Sequence, residues 1–259
     1  MRTLDVVTLD DETEELFLDH VNQDPLEHYF FILDWRFNRD ESRILLALED
    51  DAIEGLLLIY KDLIAQVRGS REAIGKLIGH LDLQRAEIVA PREHGDLVLE
   101  SYGASKRYEL LLMHLGKGEE RALKTHEPVR PSPGDAEGIA RLMRETCPDF
   151  WGEQTAEKVE ESMKRNFWLA IKDNEKVISV GNTFFADFGS NIGVVATHEG
   201  YRNQGCATSI VSSLVGEIFR RCDRALIHVI ADNNPAVHTY RKVGFRPYRS
   251  YLLVKGERT

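Results

Sequence analysis

The chain has 259 residues, of which 42% are hydrophobic and 29% charged, and its formal net charge is −10. This composition is typical of folded proteins, excludes a disordered or collagen-like chain, and is sufficient for two compact domains of ordinary size. The N-terminal segment is acidic and no run of 18 apolar residues occurs, so we expect neither a signal peptide nor a membrane span and predict a cytoplasmic protein.

The cysteines are Cys147, Cys206 and Cys222. Their number is odd, and none of them has the spacing of a metal-ligand or redox pair. We therefore expect reduced thiols, no disulfide framework and no metal site.

The charge is unevenly distributed along the chain. Residues 1–125 carry 15 basic and 26 acidic groups, whereas residues 126–259 carry 18 and 17. Ten of these basic groups lie in residues 201–259, against four acidic ones. Because no run of aromatics accompanies them, this distribution favours a small, highly charged anion over a nucleic acid.

Taken in chain order, the predicted elements occur twice. Each series contains two strands joined by an acidic turn, a further strand, a helix and a short apolar strand. The first comprises a hairpin at 43–60, a helix at 71–81 and a strand at 86–90, and the second a hairpin at 167–185, a helix at 206–219 and a strand at 225–231. The order predicts an internal duplication.

The second series follows a new domain start. The segment EPVRPSPGDAEGIARLM, residues 127–143, predicts a short strand, a turn and a helix entered through Asp135. We therefore place the domains at residues 1–122 and 123–259.

The stretch HEGYRNQG, residues 198–205, connects a predicted strand, NIGVVATH, to the helix that follows. The unpaired N–H groups and the dipole of a helix N-terminus attract an anion. Gly205 allows a phosphate close to the main chain, small Ala207 keeps the first turn open, and Arg202 and Gln204 add donors. The alternative is an ordinary strand–helix turn that contains one glycine.

A second motif follows in ALIHVIADNNPAVHTYRKVGF. Here a buried strand precedes a helix for which we predict Asn234 as the cap, Pro235 at the first helical position and Gly244 as the stop. Tyr240 shares one helix face with Ala236 and is directed inward.

Together these motifs resemble the GNAT superfamily of acyl-CoA-dependent N-acyltransferases. VATHEGYRNQGCATSI is similar to its acyl-CoA-binding motif, and NNPAVHTYRKVGF to the segment that follows it. With its threonine, VATHEGYR resembles the corresponding segment in the branch that includes FR47-like and glycine N-acyltransferase-like proteins. Some members of that branch have a degenerate GNAT half on the N-terminal side of the catalytic one. The resemblance implies a mixed α/β (α+β) chain of tandem GNAT-like folds, each a mostly antiparallel sheet flanked by helices.

The resemblance also implies acetyl-CoA, or another acyl-CoA, as co-substrate and a primary amine of a small molecule or peptide as acceptor, with direct attack in a ternary complex. Tyr240 would be catalytic, donating a proton or hydrogen bond to the departing thiolate; the alternative is a core aromatic. The residues implied in cofactor binding are Val195, Ala196, Thr197, Arg202, Asn203, Gln204, Gly205, Cys206, Ala207, Thr208, Asn233, Ala236 and Tyr240.

Other candidate side chains stay ambiguous at this point. The strand at 191–198 has no carboxylate to serve as a base. His198 agrees with the role of a solvated loop residue at least as well as with that of a proton acceptor. We interpret Cys206 as a small filler, since the motif contains no histidine partner. Asp187 and the aromatics Phe184, Phe185, Trp151 and Trp168 fit an amine site or core packing.

The first half of the chain lacks the residues that carry the resemblance in the second half. QVRGSREAI, residues 66–74, has one glycine and places Glu72 in the first helical turn, where it would repel a phosphate. We interpret this half as a degenerate GNAT-like fold without acyl-CoA that completes the sheet, covers the amine site or forms a dimer contact. Two functions remain: an N-acyltransferase, or a non-catalytic acyl-CoA-binding sensor.

Overall fold

The computed structural model describes residues 4–259 of the chain. They form two compact units, and neither unit is a continuous half of the chain. The first contains the residues up to Leu112 together with Ile230–Asp232 and Tyr248–Thr259, and the second contains Met113–Val229 and Asn233–Pro247. The units therefore differ from the predicted domains, 1–122 and 123–259, because each takes in a segment of the other half.

The first unit contains a mixed sheet with helices. Its strands lie in the order β1-β2-β3-β4-β5-β11-β6, in which the pairs from β1 to β4 are antiparallel and β4–β5 is parallel. The elements are β1 (Asp5–Thr8), α1 (Glu14–Val21), α2 (Tyr29–Phe37), β2 (Ser42–Glu49), β3 (Ala52–Tyr60), β4 (Ile64–Gly69), α3 (Arg71–Gly79), β5 (Arg85–Pro91), α4 (Gly95–Ser101), β6 (Tyr102–Gly116, its last residues in the second unit) and β11 (Arg246–Arg258, its first residues in the second unit).

The C-terminal strand is the unexpected member of this sheet. Strand β11 pairs antiparallel with β5, from Tyr251 opposite Pro91 to Glu257 opposite Arg85. Its residue Val254 is buried in the core of the first unit. The end of the chain is thus part of the sheet formed by the first half.

The second unit contains a four-stranded sheet in the order β10-β9-β8-β7, in which β9 and β10 are parallel and the other pairs antiparallel. Its elements are α5 (Ala136–Thr146), α6 (Pro148–Trp151), α7 (Ala156–Arg165), β7 (Phe167–Asp173), β8 (Lys176–Phe184), β9 (Ser190–Thr197), α8 (Cys206–Ile218), β10 (Arg224–Ile230) and α9 (Asn234–Val243). The predicted hairpins and the helix–strand pairs after them are confirmed in both units.

Helices cover both faces of this sheet. On one face, α5 and α7 pack against Val180 and Val194 in a single core cluster. On the other face, Gly181 leaves room for α8, since an added Cβ would lie 2.5 Å from a methyl carbon of Ile210. The buried residues of α8, which include Ile210 and Leu214, lie against this face. The loop after Thr197 connects the end of β9 to the N-terminus of α8.

Candidate active site

Strands β9 and β10 separate partway along their length. Their paired residues end at Ile192 opposite Ile227, although β9 continues to Thr197. At the same point β9 carries a bulge, in which Gly193 is the extra residue and the side-chain oxygen of Asn182 accepts a hydrogen bond of 2.9 Å from the Val194 N–H. Because a bulge bends its strand, it accounts for the divergence. The result is an opening between two parallel strands.

The predicted pantetheine-binding residues lie along this opening. Val195, Ala196 and Thr197 all follow the last residue of β9 that pairs with β10. Ala196 is buried in the cluster with α5, and the Thr197 hydroxyl lies 2.8 Å from that of Ser179. Their side chains are therefore engaged in the fold, and what they offer a ligand is their main chain.

The loop from β9 to α8 bends sharply in two places. Asn203 and Gly205 have positive φ angles of 62° and 84°. Arg202 and Asn203 are exposed, whereas the Gln204 side chain donates a 3.1 Å hydrogen bond to the Gly200 carbonyl within the loop. Arg202 is thus the charged side chain that this loop offers to an anion.

The N-terminus of α8 is arranged differently from that of α3. Gly205 is the N-cap of α8, no side chain within residues 4–259 caps it, and its first turn has no acidic residue. By contrast, the Ser70 hydroxyl of α3 accepts a hydrogen bond from the Ala73 N–H, and Glu72 lies in its first turn. The first N–H groups of α8, including those of the half-buried Ala207 and Thr208, can therefore bind an anion.

A segment from well before the motif packs beside this terminus. The main-chain N–H groups of Leu123, Thr125 and His126 donate hydrogen bonds to the hydroxyls of Ser212 or Ser209 on α8. The Thr125 hydroxyl occupies the space that a side chain at position 205 would need. Glycine is therefore required there both for its φ angle and for this contact.

The same segment gives Cys206 the histidine partner that its own motif lacks. His126 Nε2 lies 3.8 Å from Cys206 Sγ, and the Thr125 hydroxyl lies 2.9 Å from His126 Nδ1. Cys206 is buried, and burial raises the pKa of its thiol. A buried thiol with a raised pKa is a poor nucleophile, which agrees with the interpretation of Cys206 as a filler.

Helix α9 corrects one prediction. Its N-cap is Asn233, whose side-chain oxygen accepts a 3.3 Å hydrogen bond from the Ala236 N–H, so the prediction of Asn234 as the cap was wrong. The two asparagines are adjacent, and helix geometry starts one residue earlier than the sequence suggested. The Asn233 oxygen is occupied by the cap, which leaves its amide group as the part that faces a ligand.

Tyr240 lies in the middle of α9 and is 5% exposed. Its ring packs edge-on against Phe245, with centroids 6.2 Å apart, and burial raises the pKa of its hydroxyl. The phenol therefore stays protonated at every physiological pH. A raised pKa favours a hydrogen bond to a departing thiolate over complete transfer of the proton.

The remaining candidates divide between packing and a small cavity. Trp168 is buried, and Phe185 packs against Phe167 and the Arg221 guanidinium. Asp187 accepts a 3.0 Å hydrogen bond from the following main-chain N–H. A cavity of about 280 Å³ is lined by Arg130, Pro131, Pro133, Glu160, Met163, Lys164 and Trp168.

The first unit has an opening at the equivalent place, and a side chain occupies it. Strands β4 and β5 pair only from Ile64 to Gln66, and the buried guanidinium of Arg68 then reaches across to the Val89 carbonyl at 3.3 Å. Its Nε lies 2.8 Å from a Glu27 carboxylate oxygen. In addition, α3 starts at Arg71, two residues after the end of β4 at Gly69, whereas eight residues separate β9 from α8.

Comparisons with known proteins agree with this architecture. The family model described as FR47-like protein matches residues 171–254, which include the loop and both motifs. No curated protein sequence matches the chain significantly.

Solved structures resemble nearly the whole chain. A Drosophila protein is 12% identical with a TM-score of 0.69, over 98% of this chain and 99% of its own. A GNAT-family acetyltransferase from Colwellia psychrerythraea is 11% identical with a TM-score of 0.62, over 98% and 100%. A tandem GNAT protein from the clavulanic acid biosynthesis pathway is 12% identical with a TM-score of 0.61, over 98% of both chains. At these identities the likeness concerns the fold, and it confirms the tandem GNAT-like fold.

Two further observations concern membrane-spanning helices and metal sites. No helix within residues 4–259 is both long and apolar enough to cross a membrane. The described residues also contain no group of three histidine, cysteine or acidic side chains placed to hold a metal ion.

Proposed function

We propose that the second unit transfers an acyl group, in the first instance acetyl, from acyl-CoA to a primary amine. The observation that carries this proposal is the opening between β9 and β10, which leads to a helix N-terminus without a cap side chain or an acidic first turn. A thioester arm fits an opening edged by main-chain groups, and a diphosphate fits the terminus of α8. The GNAT-like fold supports the same reaction.

In the proposed reaction a neutral amine attacks the thioester carbonyl while both substrates are bound. The new C–N bond forms, the C–S bond breaks, and the electron pair of that bond leaves on the sulfur of CoA. Tyr240 stabilises this thiolate with a hydrogen bond from its hydroxyl, and the proton lost by the amine leaves through a base. Holding both reactants in one opening supplies the orientation that makes the step fast.

The acceptor is proposed to be a small molecule or a peptide amine. The cavity lined in part by Trp168 and Met163 supports this, because it opens among residues of α7 and β7, on the face of the sheet that carries α5. Its basic groups, Arg130 and Lys164, stand beside one acidic group, Glu160, which suits a polar acceptor with an apolar body.

The test is a titration of acetyl-CoA into the intact chain, followed by measurement of free thiol release with a panel of amines. The proposal expects binding with one site per chain and release that depends on an amine. Absence of binding would refute the cofactor assignment. Binding without turnover across the panel would instead support a non-catalytic acyl-CoA sensor, which the lack of a carboxylate on β9 keeps as the second candidate.

A further inference from the structure

His228 is the one histidine placed inside the sheet of the second unit at the opening. Strand β9 has no titratable side chain, and the titratable side chains of β7, β8 and β10 other than His228 lie at or next to the strand ends. His228 stands in the middle of β10, one residue beyond Ile227, the last residue paired with β9. It is half-buried, so water and a small ligand reach it.

The ring of His228 has a hydrogen-bond partner on β9. Its Nδ1 lies 3.4 Å from the side-chain oxygen of Asn191. In the tautomer that donates from Nδ1 to this oxygen, Nε2 is the nitrogen that accepts a proton. A neutral imidazole oriented in this way has the form that a general base needs.

The strand registers show which face of the sheet His228 is on. Residues two apart in a strand share a face, so His228 lies with Leu226 and with its partner Asn191. Asn191 pairs with Phe184 on β8, and Val180 of the same strand, four residues earlier, packs against α5. His228 is therefore on the face that carries α5 and the cavity, opposite the face covered by α8.

This placement puts the two proton carriers on opposite sides of the opening. Tyr240 belongs to α9, which contacts α8, whereas His228 faces the side of α5. An amine that approached from the face of α5 would have His228 on its side of the sheet, and the thiolate would leave toward Tyr240 on the other side.

We propose that His228 is the general base that takes the proton from the acceptor amine, a proposal that rests on the proposed function. At neutral pH most primary amines are ammonium ions, which have no electron pair for attack. Nε2 takes one proton from the ammonium ion, the electron pair that this frees on nitrogen then forms the C–N bond, and the imidazolium passes its proton to water. Another histidine of this unit provides a control. His114 of β6 has a pKa lowered first by burial, with Arg246, Glu119 and Arg224 as charged neighbours.

The experiment compares His228→Gln with His114→Gln, using acetyl-CoA and the amine that the parent acetylates fastest, from pH 6 to pH 10. For His228→Gln we expect unchanged acetyl-CoA affinity and melting temperature, and a kcat/KM about 10²-fold or more below the parent at pH 7. The deficit should shrink as pH rises, because the amine then loses its proton to solvent. The His114→Gln variant should stay within a few-fold of the parent.

A second variant separates chemistry from packing. His228→Ala removes the ring, and added imidazole should restore part of its rate at neutral pH if the ring acts as a base. A His228→Gln deficit that is the same at every pH, or turnover equal to the parent, would overturn the base role while leaving acyl transfer intact. A parent that binds acetyl-CoA but turns over no amine would refute the proposed function, and the base role with it.

Discussion

A negative charge placed at the N-terminus of α8 tests the cofactor site with little effect on the fold. Ala207 is half-buried in the first turn of α8, directly after Cys206. Substituting Ala207→Glu adds an acidic side chain where an isolated helix prefers one, which stabilises the helix by about 0.3–1 kcal/mol. Position 205 is less suitable, because any side chain there meets Thr125 and requires a strained φ angle.

The same charge should strongly oppose a bound diphosphate. A carboxylate about 6 Å from one phosphate charge, at an effective dielectric constant near 20, costs about 3 kcal/mol. Because about 1.4 kcal/mol corresponds to a factor of ten, we expect acetyl-CoA affinity to fall by at least ~100-fold. Stability and affinity should thus change in opposite directions, which a general disruption of the fold would not produce.

Calorimetric titration of acetyl-CoA into the parent, Ala207→Glu and Ala207→Gln measures this effect. The glutamine variant has nearly the same size without the charge, so the difference between the two variants isolates electrostatics. That difference should narrow at high salt, because a partly exposed charge is screened there. Equal affinities of the two variants, in folded protein, would show that no phosphate binds at this helix terminus.

Three further outcomes follow from the structure. Tyr240→Phe should keep acetyl-CoA affinity and melting temperature and lower turnover by about 10²-fold, as measured by paired calorimetry and thiol release; unchanged turnover would leave Tyr240 as a core aromatic. Burial raises the pKa of Asp34 from 3.8 to about 6, so ionisation of this carboxyl group opposes folding above that range. In urea titrations, Asp34→Asn should therefore raise the free energy of unfolding by about 1–3 kcal/mol at pH 7.5 and by little at pH 4. Arg68→Met removes one charged partner of the half-buried Glu27 carboxylate, which keeps its bonds from Arg249 and from the Tyr251 hydroxyl, and should cost about 1.5–3 kcal/mol in urea unfolding at neutral pH, with unchanged acetyl-CoA affinity in the folded fraction. A stable Arg68→Met variant would mean that this pair contributes little to the fold.

The part of the site that the sequence could predict is local. The positive φ of Gly205, the strand before it and the helix after it all depend on neighbouring residues, and each is observed. The stop of α9 at Gly244, with a φ angle of 122°, follows in the same way. The cap of α9 was misplaced by one residue, since neighbouring asparagines offer the same capping group and only the backbone geometry separates them.

What the sequence could not predict depends on residues far apart in the chain. Ser209 and Ser212 look like polar interruptions of an apolar helix, and their role emerges only when N–H groups of residues 123–126 are seen to bind them. The histidine beside Cys206 also comes from this segment. The two serines themselves were a signal. Both are fully or nearly buried on one helix face, and buried hydroxyl groups require hydrogen-bond partners. The partner segment could not be identified without the fold.

The position of His228 shows the same limit in the sheet. Its strand reads as a continuous apolar run, which predicts burial on both faces and does not say which neighbour each residue meets. Only the registers with β9 place His228 at the opening and next to Asn191. The sequence therefore indicated the site proposed for the cofactor, and the pairing of strands was needed to find a candidate for the base.

The two halves of the chain differ at the turn from strand to helix where the second is proposed to bind a cofactor. In the first half Arg68 fills the opening, and Ser70 caps the helix directly after the strand. Yet the sheet of this half includes β11, whose residues from Tyr251 to Glu257 pair with β5. A fragment ending near residue 122 would leave that edge of β5 unpaired and prone to association. Such a fragment is thus incomplete as a fold, because the end of the chain completes its sheet.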